Sequence, residues 1–105
     1  MHRLQAAFDA LKSLDFPQRP ESDELHEWLL ELAEIDGHLA GLASSVIGGA
    51  DARMLAISDI GSFADSLQKI DVVSESDRMI HARCMRYADR LCELQLALIE
   101  AGCRF

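Results

Sequence analysis

The sequence predicts an all-α fold, an antiparallel four-helix bundle with a short first helix and long second and fourth helices. Two observations carry this expectation. Apolar residues recur at spacings of three and four along most of the chain, the period of a helix buried on one side. The interruptions fall at proline, glycine and capping signals that leave only short connections. Alternation of the kind a half-buried strand needs extends no further than a few residues, and there is no internal repeat, low-complexity tract or interdomain linker. With 105 residues, half of them hydrophobic, one domain over residues 1–105 can bury roughly two-thirds of the surface its unfolded chain exposes.

Taken in order, the first helix is expected at about residues 2–14, where Leu4, Phe8 and Leu11 are flanked by Ala7 and Leu14. Both prolines of the chain lie in Asp15–Pro20 and bias the residues before them away from helical angles. The second helix, about 21–47, starts near Pro20 with Glu21, Asp23 and Glu24 complementing the positive end of its dipole, and stops at Gly48-Gly49. Within it Trp28, Leu32, Ile35, Leu39, Leu42 and Val46 step 4-3-4-3-4, a heptad seam. Asp51 is the expected N-cap of a third helix over about 51–70, with Ala56, Ile60, Phe63, Leu67 and Ile70 on its apolar face. Ser74-Glu75-Ser76-Asp77 fits a capping box and opens the fourth helix, about 75–101. That helix carries a second seam, Ile80, Cys84, Tyr87, Leu91, Leu94 and Leu98, and frays at Gly102.

Composition narrows the function classes. Asp9 interrupts the first residues before an apolar leader can form, and the longest stretch without Asp, Glu, Lys or Arg, Gly37–Ala50, would span only about 21 Å as a helix. Neither secretion nor a membrane span is expected. Cys84 and Cys92 lie about 12 Å apart along one helix, too far for an unstrained disulfide. With Cys103 they make an odd count, which suits a reduced, cytoplasmic chain. The formal net charge is −8, a balance that argues against binding a phosphate backbone and favours a basic partner.

The acidity is concentrated. Glu24, Glu27, Glu31 and Glu34, followed by His38, share one stripe of the second helix, the candidate partner-binding surface. Arg83, Arg86 and Arg90 form a face of opposite sign on the fourth helix, able to meet the stripe within the bundle or across a dimer, or to pair locally with Asp89 and Glu93. Gly37 and Gly41, on the back of the second helix, suggest the close approach of another helix from this chain or from a second subunit, each glycine costing up to about 1 kcal/mol relative to alanine; the alternative is a locally weak helix that bends or breaks near Gly37. Gly37 and Gly41, together with Arg83, Arg86 and Arg90, are the candidate oligomer interface. Asp36 falls on the apolar side of its helix and needs a partner or a raised pKa, with Arg53 as a possible mate. His81 and Cys84 share a face, but the further ligands of a structural zinc site are missing. The Glu-x-x-His pairs of di-iron bundles, phosphate-cradling glycine loops and the Gly-x-Ser-x-Gly elbow are absent as well.

These patterns point to a non-enzymatic, cytoplasmic helical module, with no cofactor or metal and no nucleic acid or membrane as its target. Its expected work is to dock the acidic stripe on a basic protein surface. In charge and size alone it resembles the immunity, antitoxin and phage-inhibitor proteins that block nucleic-acid-handling enzymes, without sharing a motif with them. The alternative is a scaffolding homo-oligomer assembled through the second and fourth helices. A third possibility, a helical enzyme or metalloprotein, would use Asp36 or His81.

Overall fold

The two heptad seams form the spine of the molecule. The computed structural model describes residues 2–105 and contains α1 (His2–Lys12), α2 (Asp23–Ile47), α3 (Ile60–Gln68) and α4 (Glu75–Glu100), with one 3-10 turn at Ala52–Met54 between α2 and α3. Trp28, Leu32, Leu39, Leu42 and Val46 of α2 are buried, as are Cys84, Tyr87, Leu91, Leu94 and Leu98 of α4, while Ile35 and Ile80 are half-buried at the edges. α1 contributes Leu4, Ala7 and Leu11 to the same core, and α3 contributes Ile60, Phe63 and Leu67.

Successive helices run in opposite directions, so α2 and α4 point the same way. Three sets of contacts fix this. The start of α1 meets the end of α4 through Arg3 and Glu100. The segment leading into α2 is bonded to the first turn of α4 at Asp77. α3 runs back along α4, with Ser58 ahead of it bonded to Gln95 and Leu67 near its end bonded to His81. α1 and α3 flank the α2/α4 pair on different sides. Two helices in contact span about 13–15 Å between their outer Cα atoms, close to the shortest extent of the molecule, 45 × 23 × 16 Å.

Capping sets the helix starts, and two of them differ from expectation. The second helix begins at Asp23 and not at 21, because Ser22 is the cap, its hydroxyl accepting from the Leu25 amide. At the start of α4 the Ser74 hydroxyl accepts from the Asp77 amide as a capping box requires. The Asp77 carboxylate, however, does not fold back. It is 3% exposed and reaches across the bundle, accepting from the amides of Glu21 at 2.8 Å and Ser22 at 3.0 Å.

The third helix is shorter than the expected 51–70. Asp51 caps only the 3-10 turn, its carboxylate accepting from the Arg53 amide, and the chain then runs extended to a second cap at Asp59. The polar groups of this linker are held by neighbours. The Leu55 carbonyl accepts from the Arg104 amide, the Ile57 amide donates to the Arg104 carbonyl, and the Ser58 carbonyl accepts from Gln95 at 3.1 Å. His38 donates to the Ala56 carbonyl at 3.1 Å. Tertiary partners thus replace the helical ladder. Ala56, expected on the apolar face of the third helix, is exposed in this linker. The first and fourth helices end slightly early, at Lys12 and Glu100. Trp28 holds α3 against α2, stacking on Phe63 with ring centroids 4.4 Å apart and donating its indole N–H to the Phe63 carbonyl.

Because removing Asp77 leaves two part-buried amides without their charged acceptor, Asp77→Ala is expected to lower the unfolding free energy by about 2–4 kcal/mol. Asp77→Asn, which keeps one acceptor, is expected to lose less. Urea unfolding at pH 7 measures both. A loss for Asp77→Ala below about 0.5 kcal/mol, the scale of an ordinary surface change, would contradict the assignment.

Candidate functional site

The acidic stripe is exposed along its whole length: Glu24, Glu27, Glu31 and Glu34 all face solvent, and none of them forms an ion pair among the described residues. They lie on that edge of α2 which borders α3. The last member of the stripe, His38, has a structural job, since it holds the linker at Ala56. Beside Glu31 the surface dips into a groove of about 430 Å³ lined by Glu31, Ile35, Ser58, Asp59, Ser62, Phe63 and Ser66.

The groove follows from local capping. The Asp59 carboxylate accepts from the Ser62 amide at 3.2 Å and from the Ser62 hydroxyl at 2.8 Å. These bonds hold its pKa below the ordinary carboxylate value, the hydroxyl bond most strongly. The Ser66 hydroxyl, also on the groove, donates to the Phe63 carbonyl at 2.6 Å. Ile35 and Phe63 supply an apolar floor between an acidic α2 edge and a carboxylate-and-hydroxyl α3 edge. The sequence expectation missed Asp59 and its serines. The available signal was a second cap, Asp59 followed three residues later by Ser62, inside what reads as one continuous helix.

The arginine face lies elsewhere. Arg83 and Arg86 are exposed and, with Tyr87, line a depression shared with Ser13, Leu14 and Asp15 beyond the end of α1. Arg90 pairs with Glu93 at 3.0 Å, one of the local pairs expected. Arg83 and Arg86 thus border the segment that follows α1, and no ion pair joins the arginine face to the stripe among the described residues; between molecules the two faces remain able to meet. Gly37 and Gly41 are exposed, and a Cβ at either would meet nothing within 4 Å. The close approach of a helix from the same chain therefore does not occur, and α2 is continuous through both glycines. Leu30, 56% exposed, stands on the same outer face.

Asp36 is not paired with Arg53, which is exposed and bonded to Asp51 at 3.3 Å. Asp36 is half-buried against Tyr87. Burial pushes its carboxyl above the usual value, and the Tyr87 hydroxyl donating towards it partly offsets this. Tyr87 is itself pushed up, mainly by burial and then by the Asp36 charge, and its ring meets Phe16 edge-on at 5.9 Å. His81 donates to the Leu67 carbonyl at 3.1 Å, joining α4 to α3. Burial pushes the Cys84 thiol up to about 12, and all three cysteines are free. Among the described residues no group of three His, Cys, Asp or Glu side chains is placed to hold a metal ion.

A third concavity, about 690 Å³, opens at the end of the bundle between Leu4, Val46, Ala52, Ala97 and Gly102. Its charged rim is already satisfied by the pairs Arg3–Glu100 and Arg53–Asp51. Comparison with known protein families, curated proteins and solved structures finds no match to this chain.

The Asp36 environment makes a signed prediction. Its folded pKa lies above the unfolded one, so the native state holds the proton more tightly and loses stability as pH rises through that range. Asp36→Asn, which can still accept from Tyr87, is expected to raise the melting temperature at pH 7. The gain is expected to shrink as pH falls towards about 4, the usual Asp range. Thermal unfolding at three pH values checks this, and a melting temperature lowered at pH 7 would overturn it.

Proposed function

We propose that the chain is a small helical protein-binding module that docks a basic partner surface on the α2 stripe, in the manner of an inhibitor, immunity or antitoxin-like protein. One observation carries the reading. Glu24, Glu27, Glu31 and Glu34 stand exposed in a line on a rigid helix, without ion-pair partners of their own among the described residues. Adjacent unpaired carboxylates repel one another, and a cationic surface relieves that repulsion while the field steers its approach. The module works by binding and not by catalysis in this reading, since these acids lie along one open helix edge and not around an enclosed cavity. A cytoplasmic setting accords with three free thiols. No helix of the described residues is long and apolar enough to cross a membrane.

The test uses paired baits. Affinity capture from the native host with the wild-type chain and with the variant Glu24→Gln/Glu27→Gln/Glu31→Gln/Glu34→Gln is expected to retain a basic protein on the first and not on the second. Circular dichroism is expected to be unchanged, because Gln and Glu have nearly equal helix propensity. The same proteins retained by both baits would overturn the reading.

The open Gly37/Gly41 face favours a second reading, a scaffolding homo-oligomer in which α2 packs on another copy. Parallel pairing there would bring acidic stripes together, whereas antiparallel pairing would set the acids of one copy near the uncharged Ser44, Ser45 and Gly48 of the other. Association of Arg83 and Arg86 of one copy with the stripe of the next would instead be head-to-tail. Light scattering at two concentrations decides: a monomer at both removes this reading.

A further inference from the structure

We propose that the groove between α2 and α3 seats an arginine or lysine side chain of the basic partner, its aliphatic stem on Ile35 and Phe63 and its cationic head between Glu31 and Asp59. This inference rests on the docking reading above and gives that surface a specific contact. The groove is an apolar floor with an anionic rim, and each part selects. An apolar side chain would leave two carboxylates facing it without a counter-charge, a small cation would leave Ile35 and Phe63 uncovered, and an anion would be repelled. Long cationic side chains match both parts, because they lay methylene groups on apolar surface and keep the charge at its edge.

The acids are suited to that head. Asp59 is oriented by two bonds from Ser62, Glu31 forms no ion pair among the described residues, and no Lys or Arg lines the groove. Glu27 and Glu34 extend the same field one turn either way along α2. A second copy of this chain is the poorer occupant, since a net charge of −8 opposes its approach.

The probe is N-acetyl-arginine methylamide, followed by NMR, with the nearly isosteric but uncharged N-acetyl-citrulline methylamide and guanidinium chloride as controls. Expected are saturable shifts centred on the Trp28 indole and the amides of Ser58, Asp59 and Ser62. Neither control should reproduce them, and affinity should fall about five- to tenfold in Glu31→Gln/Asp59→Asn, the scale of two exposed ion pairs. Asn caps helices as well as Asp does, so that variant keeps α3 intact. Shifts spread evenly over Glu24–Glu34, or reproduced by guanidinium alone, would overturn the seat. An (Arg-Gly)4 peptide separates the two claims: if it binds the stripe while the groove stays silent, the seat fails and the docking surface stands, and if it does not bind at all, both fail.

Discussion

Two long helices that run in the same direction place two positive helix ends side by side, and one buried carboxylate between them makes that arrangement tenable. Asp77 sits in the first turn of α4, where its charge complements the dipole of its own helix. It also accepts the amides of Glu21 and Ser22 at the entrance to α2. Breaking such a link is unfavourable in both directions, since the carboxylate is buried and its donors have no other acceptor among the protein groups described here. It ties the entrance of α2 to the first turn of α4, and the buried seams of the two helices carry that alignment along the pair, as far as Leu39 to Val46 and Leu91 to Leu98.

With that register set, α1 and α3 occupy different flanks, and each flank acquires its own electrostatic character. The α3 flank collects the acids of α2 and the Asp59 cap. The α1 flank collects Arg83 and Arg86. Charge that reads as a bulk property in the composition is therefore sided in space. The linker before α3 ties this geometry together: it is short of helical hydrogen bonds of its own, and is held by His38, Gln95 and the Arg104 backbone, one partner each from α2, α4 and the C-terminal segment.

The seams of α2 and α4 were legible in the sequence because burial on one side of a long helix imposes a period that no local signal disturbs. The exposure of Glu24, Glu27, Glu31 and Glu34 was legible for the complementary reason. What escaped was set by partners distant in sequence. Asp77 has the spacing of a local capping box, and its use by Glu21 and Ser22 depends on how two helices meet. Residues 55–58 have helical spacing, yet their backbone is claimed by His38, Gln95 and Arg104. The helical spacing therefore extends beyond the true third helix, Ile60–Gln68, and runs through the Asp59 cap that shapes the groove. Glycines at 37 and 41 weaken their helix, a cost that a close neighbour would offset, yet the fold places none within 4 Å of either position.

Amide hydrogen exchange at Glu21 and Ser22 reads whether one carboxylate joins the entrances of the two long helices. Neither amide lies within a helical ladder, and each would exchange almost freely if it faced water. Held by Asp77, both are expected to be slowed roughly a thousandfold or more and to open only with the bundle as a whole. Exchange within about tenfold of the unstructured rate, where fraying segments fall, would contradict the account.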